Sequence, residues 1–294
     1  MKKIILAVIL FYMLTPSGFA TTFSEKAFRV KIMGKGQPML FIPGATCSGE
    51  EWDSAVAHYS KKYQCHVFTL AGYAGVEPLN QPPYLPVFAS AISNYISDQK
   101  LKNVILVGHS IGGYLSLKLA SLPKDILEKV IVVDAMPFYA GVLNPAAKSG
   151  FNEELAKNML LSYNNMNNVQ LKNFQFGIAK TMCADSAKWD SIATWGARSD
   201  RKTMAYTMAE MMGDDIRQEI AAIKVPVLVL AAFQSMAQYP GFTREYVKTI
   251  FTQQYSQCKT CEISVSPSAK HFINYDAPEW LLSEIDTFIG KSQH

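Results

Sequence analysis

The chain has no block of like charge. Its 28 basic residues face 24 acidic ones, and the longest basic runs are pairs such as Lys61-Lys62. Nothing in it matches the basic tracts that grip nucleic acid or an anionic surface. It has no internal repeat and no low-complexity tract. Beyond residue 20 it has no apolar run of membrane-spanning length. Cysteine and histidine are scarce, five of each. Cys258 and Cys261 stand three apart in QCKTCE, with no second ligand pair to complete a zinc site. A redox pair would open a helix after a strand, whereas this pair precedes a strand-like run. It therefore reads as a structural disulfide or as two plain thiols. With Cys47, Cys65 and Cys183 the count is odd, so at least one thiol stays free or pairs between chains.

What is present begins with a distinct N-terminus. MKK is a short positive region, IILAVILFYML is an apolar run too short to span comfortably, and TPSGFA ends in small residues at Gly18 and Ala20. This reads as a signal peptide, residues 1–20, cleaved after Ala20, with export to the periplasm or beyond. The alternative is an uncleaved anchor.

Thereafter strand-like and helix-like segments alternate. Strands are expected at 27–32, 38–44, 65–72, 103–108 and 129–135, and helices at 50–63, 87–99 and 111–122. From 138 to 222 the alternation stops, and helical stretches rich in Met, Asn, Ala and aromatics follow. It resumes with strands at 225–232 and 261–266 and helices near 243–256 and 277–290. Continuous apolar strands separated by helices predict an α/β fold, a mostly parallel sheet covered on both faces. Residues 21–137 and 223–294 form the expected core, and 138–222 an inserted helical cap.

The segment NVILVGHSIGGYLSLKLA carries the strongest chemical signal. An apolar strand ends in Gly108-His109-Ser110-Ile111-Gly112, and a helix follows at once. The G-x-S-x-G spacing at a strand-to-helix turn lifts a serine hydroxyl clear of the sheet, with helix amides aimed at the same place. In this the chain resembles the α/β-hydrolases, over nearly the whole length from 27 to 290.

The resemblance implies a serine nucleophile, Ser110, and a base on the loop between the last strand and last helix. His271, in SPSAKHFINYDAPEW, holds that place. His109 lies within the elbow and should point away from the serine. His58 and His66 fall in a helix and a strand, and His294 is terminal. Relatives usually carry the third group just after the strand that follows the cap. Here that stretch, VLVLAAFQSMAQYPGF, has no carboxylate. A minority place the acid after the strand following the elbow helix. That strand, KVIVVDA, ends in Asp134, a costly carboxylate unless paired. Asp276 reads more simply as the N-cap of the last helix, and Glu245 lies within a helix. Should Asp134 not serve, the site is a Ser-His dyad or takes an acid from the insertion. The oxyanion hole implied is made by the amides of Ile111 and Ala45, the latter in Pro43-Gly44-Ala45, where relatives often have His-Gly. Thr46 and Ser48 are further hydroxyls nearby.

The reaction implied needs no metal and no organic cofactor. The substrate expected is a small molecule with an acyl group, partly apolar, to match the Met and aromatic residues of the insertion. The leading expectation is a carboxylic ester hydrolase. The alternatives are an amidase or aminopeptidase-like enzyme using acids of the insertion, a carbon–carbon bond hydrolase, and a non-catalytic binding protein on the same scaffold.

Overall fold

A computed structural model describes residues 27–144, 146–234 and 242–291; the N-terminal segment read as a signal peptide lies outside them. The seven strands are β1 (Phe28–Met33), β2 (Gln37–Ile42), β3 (Tyr63–Leu70), β4 (Val104–His109), β5 (Leu127–Val133), β6 (Val227–Ala231) and β7 (Cys261–Val265). They form one sheet in the order β1-β3-β2-β4-β5-β6-β7. Only β1 runs antiparallel, against β3; every other pairing is parallel. The parallel strands are nearly continuous apolar runs because both faces are covered. Central β4 (VILVGH) is buried at every position. Leu40, Leu106 and Val132 point to one face and Phe41, Val107 and Val133 to the other.

On the first face lie α2 (Leu85–Asp98) and α3 (Ile111–Ala120). On the second lie α1 (Asp53–Tyr59) and the C-terminal helix over Pro278–Gly290. In α2, Leu85, Phe88, Ile92 and Ile96 recur at helical spacing and are all buried, and Pro86 occupies the first turn, where no amide partner is lost. The helix expected at 50–63 is shorter. Gly49–Trp52 form a 3₁₀ turn before α1, and Tyr63 already belongs to β3.

Between β5 and β6 the described residues contain helices and no strand. They are α4 (Ala140–Leu143), α5 (Glu153–Asn164), α6 (Asn168–Met182), α7 (Trp189–Ala197) and α8 (Arg201–Gly213). Their starts are written in the sequence. Asn152, Asn167 and Asp200 cap α5, α6 and α8, Asn167 in a reciprocal box with Gln170. Several links fasten this insertion to the turn after β3. The Asp200 amide donates to the Gly72 carbonyl at 2.7 Å, the Ala74 amide to Ser199 Oγ at 3.0 Å, and Tyr73 Oη meets Thr207 Oγ1 at 2.7 Å. The chain ends with α9 (Arg244–Gln254), the single turn α10 (Ile273–Asp276) and α11 (Pro278–Gly290).

Candidate active site

Ser110 stands between β4 and α3 with φ 52° and ψ −118°, a backbone conformation that costs a non-glycine residue free energy and turns its side chain out of the sheet. The two elbow glycines are required by space. A Cβ on Gly108 would land on the Gly112 carbonyl and Ser116 Oγ, and one on Gly112 on the Ile42 carbonyl. The strand, the turn and the helix close on one another at that point. The Ser110 hydroxyl has no hydrogen-bond partner among the described residues and is partly exposed.

Asp134 follows the last residue of β5, also in the left-handed region at φ 46°. Its amide donates to the Leu230 carbonyl (2.7 Å), and its Oδ1 accepts from the Ala232 amide (2.8 Å), so the end of β6 fixes both its backbone and one carboxylate oxygen. The other oxygen, Oδ2, lies 2.6 Å from His271 Nδ1. A carboxylate only accepts, so Nδ1 carries the proton and donates it, and Nε2 of the neutral ring keeps its lone pair. Both side chains are mostly but not wholly shielded, 15% exposed for Asp134 and 21% for His271.

The other two carboxylates weighed from the sequence lie elsewhere. Asp276 is not the N-cap of α11: that place belongs to Ala277, which makes no side-chain cap. Asp276 sits inside α10, and its carboxylate turns to amides that lack partners, those of Ala184 (2.8 Å), Asp185 (3.1 Å) and Lys270 (2.9 Å). It ties the loop after α6 to the His271 loop. Glu245 lies in the first turn of α9, at a cleft with Arg244 and Lys248.

Ile111 is the first residue of α3, and Ala45 lies on the loop after β2. Neither amide is engaged by a described residue. The Gly44 amide is engaged: it donates to Glu51 Oε2 at 2.9 Å. Thr46 has a positive φ of 65°, and its carbonyl accepts from Ser199 Oγ. Ser48 caps the 3₁₀ turn. The inserted helices pack against this edge. Ala179, Cys183, Ile192 and Trp195 cluster with Cys47 and Phe272, and Leu171 and Met204 share a cluster with Ile111.

Of the insertion's carboxylates, Glu154 is exposed with no partner among the described residues, and Asp185 accepts only from the Ala187 amide in its own turn; the others are engaged. Glu153 pairs with Lys157, Asp190 with Lys172, Asp214 with Lys118 and Asp215 with Arg217. Glu210 accepts from the Tyr84 and Leu85 amides at the start of α2, and burial holds its carboxyl above the usual carboxylate range. All five cysteines are thiols in this structure.

Sequence reasoning missed a buried pair beneath the site. His109 turns away from the serine, as expected, but its Nδ1 lies 2.5 Å from Glu51 Oε1, with the two side chains 1% and 0% exposed. Its Nε2 lies 3.0 Å from the His271 carbonyl. Glu51 in SGEEWD looks like one of two solvated acids at a helix start. Only Trp52 beside it, wholly buried, signals that this turn faces inward.

A family model described as the alpha/beta hydrolase family matches residues 39–284. The pimeloyl-[acyl-carrier protein] methyl ester esterase of Vibrio cholerae is 23% identical over 210 residues, covering 68% of this chain and 76% of that one. The protein of the same description from Pseudoalteromonas atlantica is 22% identical over 256 residues, covering 83% and 90%. Among solved structures, an esterase from Exiguobacterium antarcticum superposes with a TM-score of 0.74 at 16% identity, covering 90% of this chain and 96% of that one. An enol-lactonase from Burkholderia xenovorans gives 0.72 at 15%, with the same coverage.

Proposed function

Because the chain belongs to the alpha/beta hydrolase family, we propose that it is an exported serine hydrolase that cleaves carboxylic esters through Ser110, His271 and Asp134. The observation that carries this reading is the 2.6 Å contact between His271 Nδ1 and Asp134 Oδ2, made by a carboxylate that the Ala232 amide fixes from the other side. It leaves a basic Nε2 on a loop beside the strained elbow that presents Ser110. His271 Nε2 takes the Ser110 proton as the hydroxyl oxygen attacks the ester carbonyl. The oxyanion that forms is held by the Ala45 and Ile111 amides, neither of which is engaged by a described residue. The imidazolium, stabilised by Asp134, gives its proton to the departing alkoxide. Water then repeats the sequence on the acyl-enzyme. The serine and imidazole must close to hydrogen-bond distance when substrate binds, as apo sites commonly require.

Residues 138–222 are the lid in this reading. The contacts of α6 and α7 with Cys47 and Phe272 support a place over the site, and the Met and aromatic residues of 138–222 support an acyl pocket that is partly apolar. Relatives described as methyl ester esterases favour an ester over an amide. The paired carboxylates of the insertion also weaken the aminopeptidase alternative. The charged-apolar-small pattern of residues 1–20 supports export.

The test is hydrolysis of p-nitrophenyl esters from acetate to decanoate by the processed chain and by Ser110→Ala, with N-terminal sequencing of the exported product. Turnover lost in Ser110→Ala, fluorophosphonate labelling of Ser110 and a start at Thr21 are expected. Equal rates in both proteins would remove the serine mechanism.

A further inference from the structure

The Glu51–His109 pair takes no part in the mechanism above, yet it adjoins the nucleophile, the base and the oxyanion loop. His109 precedes the nucleophile. Its Nε2 faces the carbonyl of the residue read as the base. Glu51 Oε2 accepts from Gly44, beside the amide read as half of the oxyanion hole. The Glu51 backbone carbonyl accepts from Asn274 Nδ2 at 2.8 Å, three residues beyond His271. The His109 and His271 rings lie 4.5 Å apart between centroids.

The proton count of this group is fixed by its partners. A carbonyl only accepts, so His109 Nε2 carries a hydrogen. Glu51 Oε2 is taken by an amide hydrogen. Glu51 Oε1 and His109 Nδ1 lie 2.5 Å apart and shut off from water; the contact is close without hydrogen-bond alignment, and two bare lone pairs at that distance would repel, so one of the two groups carries a proton. The pair is then neutral as a whole, whichever atom the proton sits nearer, and this makes its complete burial tolerable. Burial alone would drive the proton off His109. Burial is the largest single influence, but the Glu51 carboxylate, Asp134 and the His271 carbonyl together outweigh it, and the His109 pKa is raised.

We propose that Glu51 and His109 act as a positioning pair that shares one proton and holds the oxyanion loop and the His271 loop in register with Ser110. The proposal rests on the serine hydrolase reading. Gly44 shows how the register is passed on. Its amide is held by Glu51, and its carbonyl accepts from the Cys47 amide at 3.2 Å. The Ala45 N–H lies in the same trans peptide plane as that carbonyl and points the opposite way, so fixing the Gly44 carbonyl aims the Ala45 amide. A Cβ on Gly44 would come within 2.9 Å of His109 Nδ1, so the loop rests directly on the imidazole. On the other side, the His109 N–H holds the backbone of His271 itself, while Asp134 holds its ring.

The experiment compares Glu51→Ala, Glu51→Gln and Glu51→Asp with the unaltered enzyme for kcat, KM and melting temperature on a p-nitrophenyl ester. It also records the nitrogen-coupled proton spectrum of the Ser110→Ala protein with and without Glu51→Ala. Ser110→Ala should show a strongly downfield imidazole proton that Glu51→Ala removes. Glu51→Ala should lose kcat on the order of 10²-fold, the cost of misplacing reacting groups by about 1 Å, with KM little changed. Glu51→Gln should recover most of that loss, because its amide oxygen can accept from Gly44 while its NH₂ donates to a neutral His109. Glu51→Asp, which reaches only one of the two partners, should fall between and keeps the measurement possible if the alanine variant does not fold. Equal losses of melting temperature in the alanine and glutamine variants with unchanged kcat would overturn the positioning role. Because His271 Nδ1, beside Asp134, gives a downfield proton of its own, the absence of a second one that depends on Glu51 would overturn the shared proton. If the unaltered enzyme shows no Ser110-dependent turnover, the esterase reading fails by itself, while the proton spectrum still decides the pair.

Discussion

Replacing Asp134 by asparagine tests the assigned acid through the tautomer of His271. An asparagine cannot accept at both of the places that Asp134 does. The Ala232 amide, 2.8 Å from Oδ1, can only donate, so the asparagine oxygen must face it. The NH₂ group then falls where Oδ2 was, 2.6 Å from His271 Nδ1, and donates into that nitrogen. His271 is forced to carry its hydrogen on Nε2, where it cannot take the serine proton. The expected loss is about 10⁴-fold in kcat, or about 5.4 kcal/mol of transition-state stabilisation at 1.36 kcal/mol per decade. Asp134→Ala should be less severe, because the imidazole regains its choice of tautomer. The assay is kcat on a p-nitrophenyl ester for both variants, with melting temperatures to show that each is folded. An asparagine variant that keeps a tenth of the activity, or an alanine variant worse than the asparagine one, would refute the reasoning.

Two further outcomes follow from the same geometry. Ser110→Gly should abolish turnover yet stabilise the fold by about 1–3 kcal/mol in urea unfolding, because glycine adopts φ 52°, ψ −118° without strain; a less stable glycine variant would contradict strain at the elbow. His66 is buried with its Nδ1 2.7 Å from Tyr95 Oη, and burial lowers its pKa. The unfolded chain therefore takes up the proton first as pH falls, so the contribution of neutral His66 is full above about 6.5 and is lost below it, at most by about 1.4 kcal/mol per pH unit. Urea midpoints at pH 7.5 and 5.5 should fall less in His66→Gln than in the unaltered chain, and an identical fall would rule His66 out as a source of acid sensitivity.

The parallel sheet was legible because its strands are buried on both faces and so read as unbroken apolar runs. VILVG and VIVVDA are recognisable without any partner in view. The elbow was legible because packing three chain segments at one point leaves room only for glycine at 108 and 112. The helix at 50–63 was overextended because Glu50 and Glu51 look like acids at the solvated start of a helix, whereas Glu51 is taken inward by His109 and Gly44. Asp276 misled for a related reason. Its place before Ala-Pro-Glu suits a cap, but besides the nearby Lys270 amide it accepts from two amides more than 90 residues earlier, beyond the reach of any local pattern.

The place of the proposed acid has a simple geometric basis. β5 and β6 are adjacent and parallel, with Val133 opposite Leu230. A carboxylate leaving β5 at 134 and one leaving β6 a residue or two after 230 emerge side by side at the same edge of the sheet. His271, arriving on the loop after β7, can be met from either. Here β5 supplies the carboxylate, and β6, which has no acid at its end, supplies the Ala232 amide that fixes it. The roles of the two strand ends are exchanged and the hydrogen bond to Nδ1 is kept. The missing acid after the cap is therefore poor evidence for a non-catalytic scaffold. A binding protein would have no need to hold Asp134 in a left-handed conformation, with one oxygen on the neighbouring strand and the other on an imidazole.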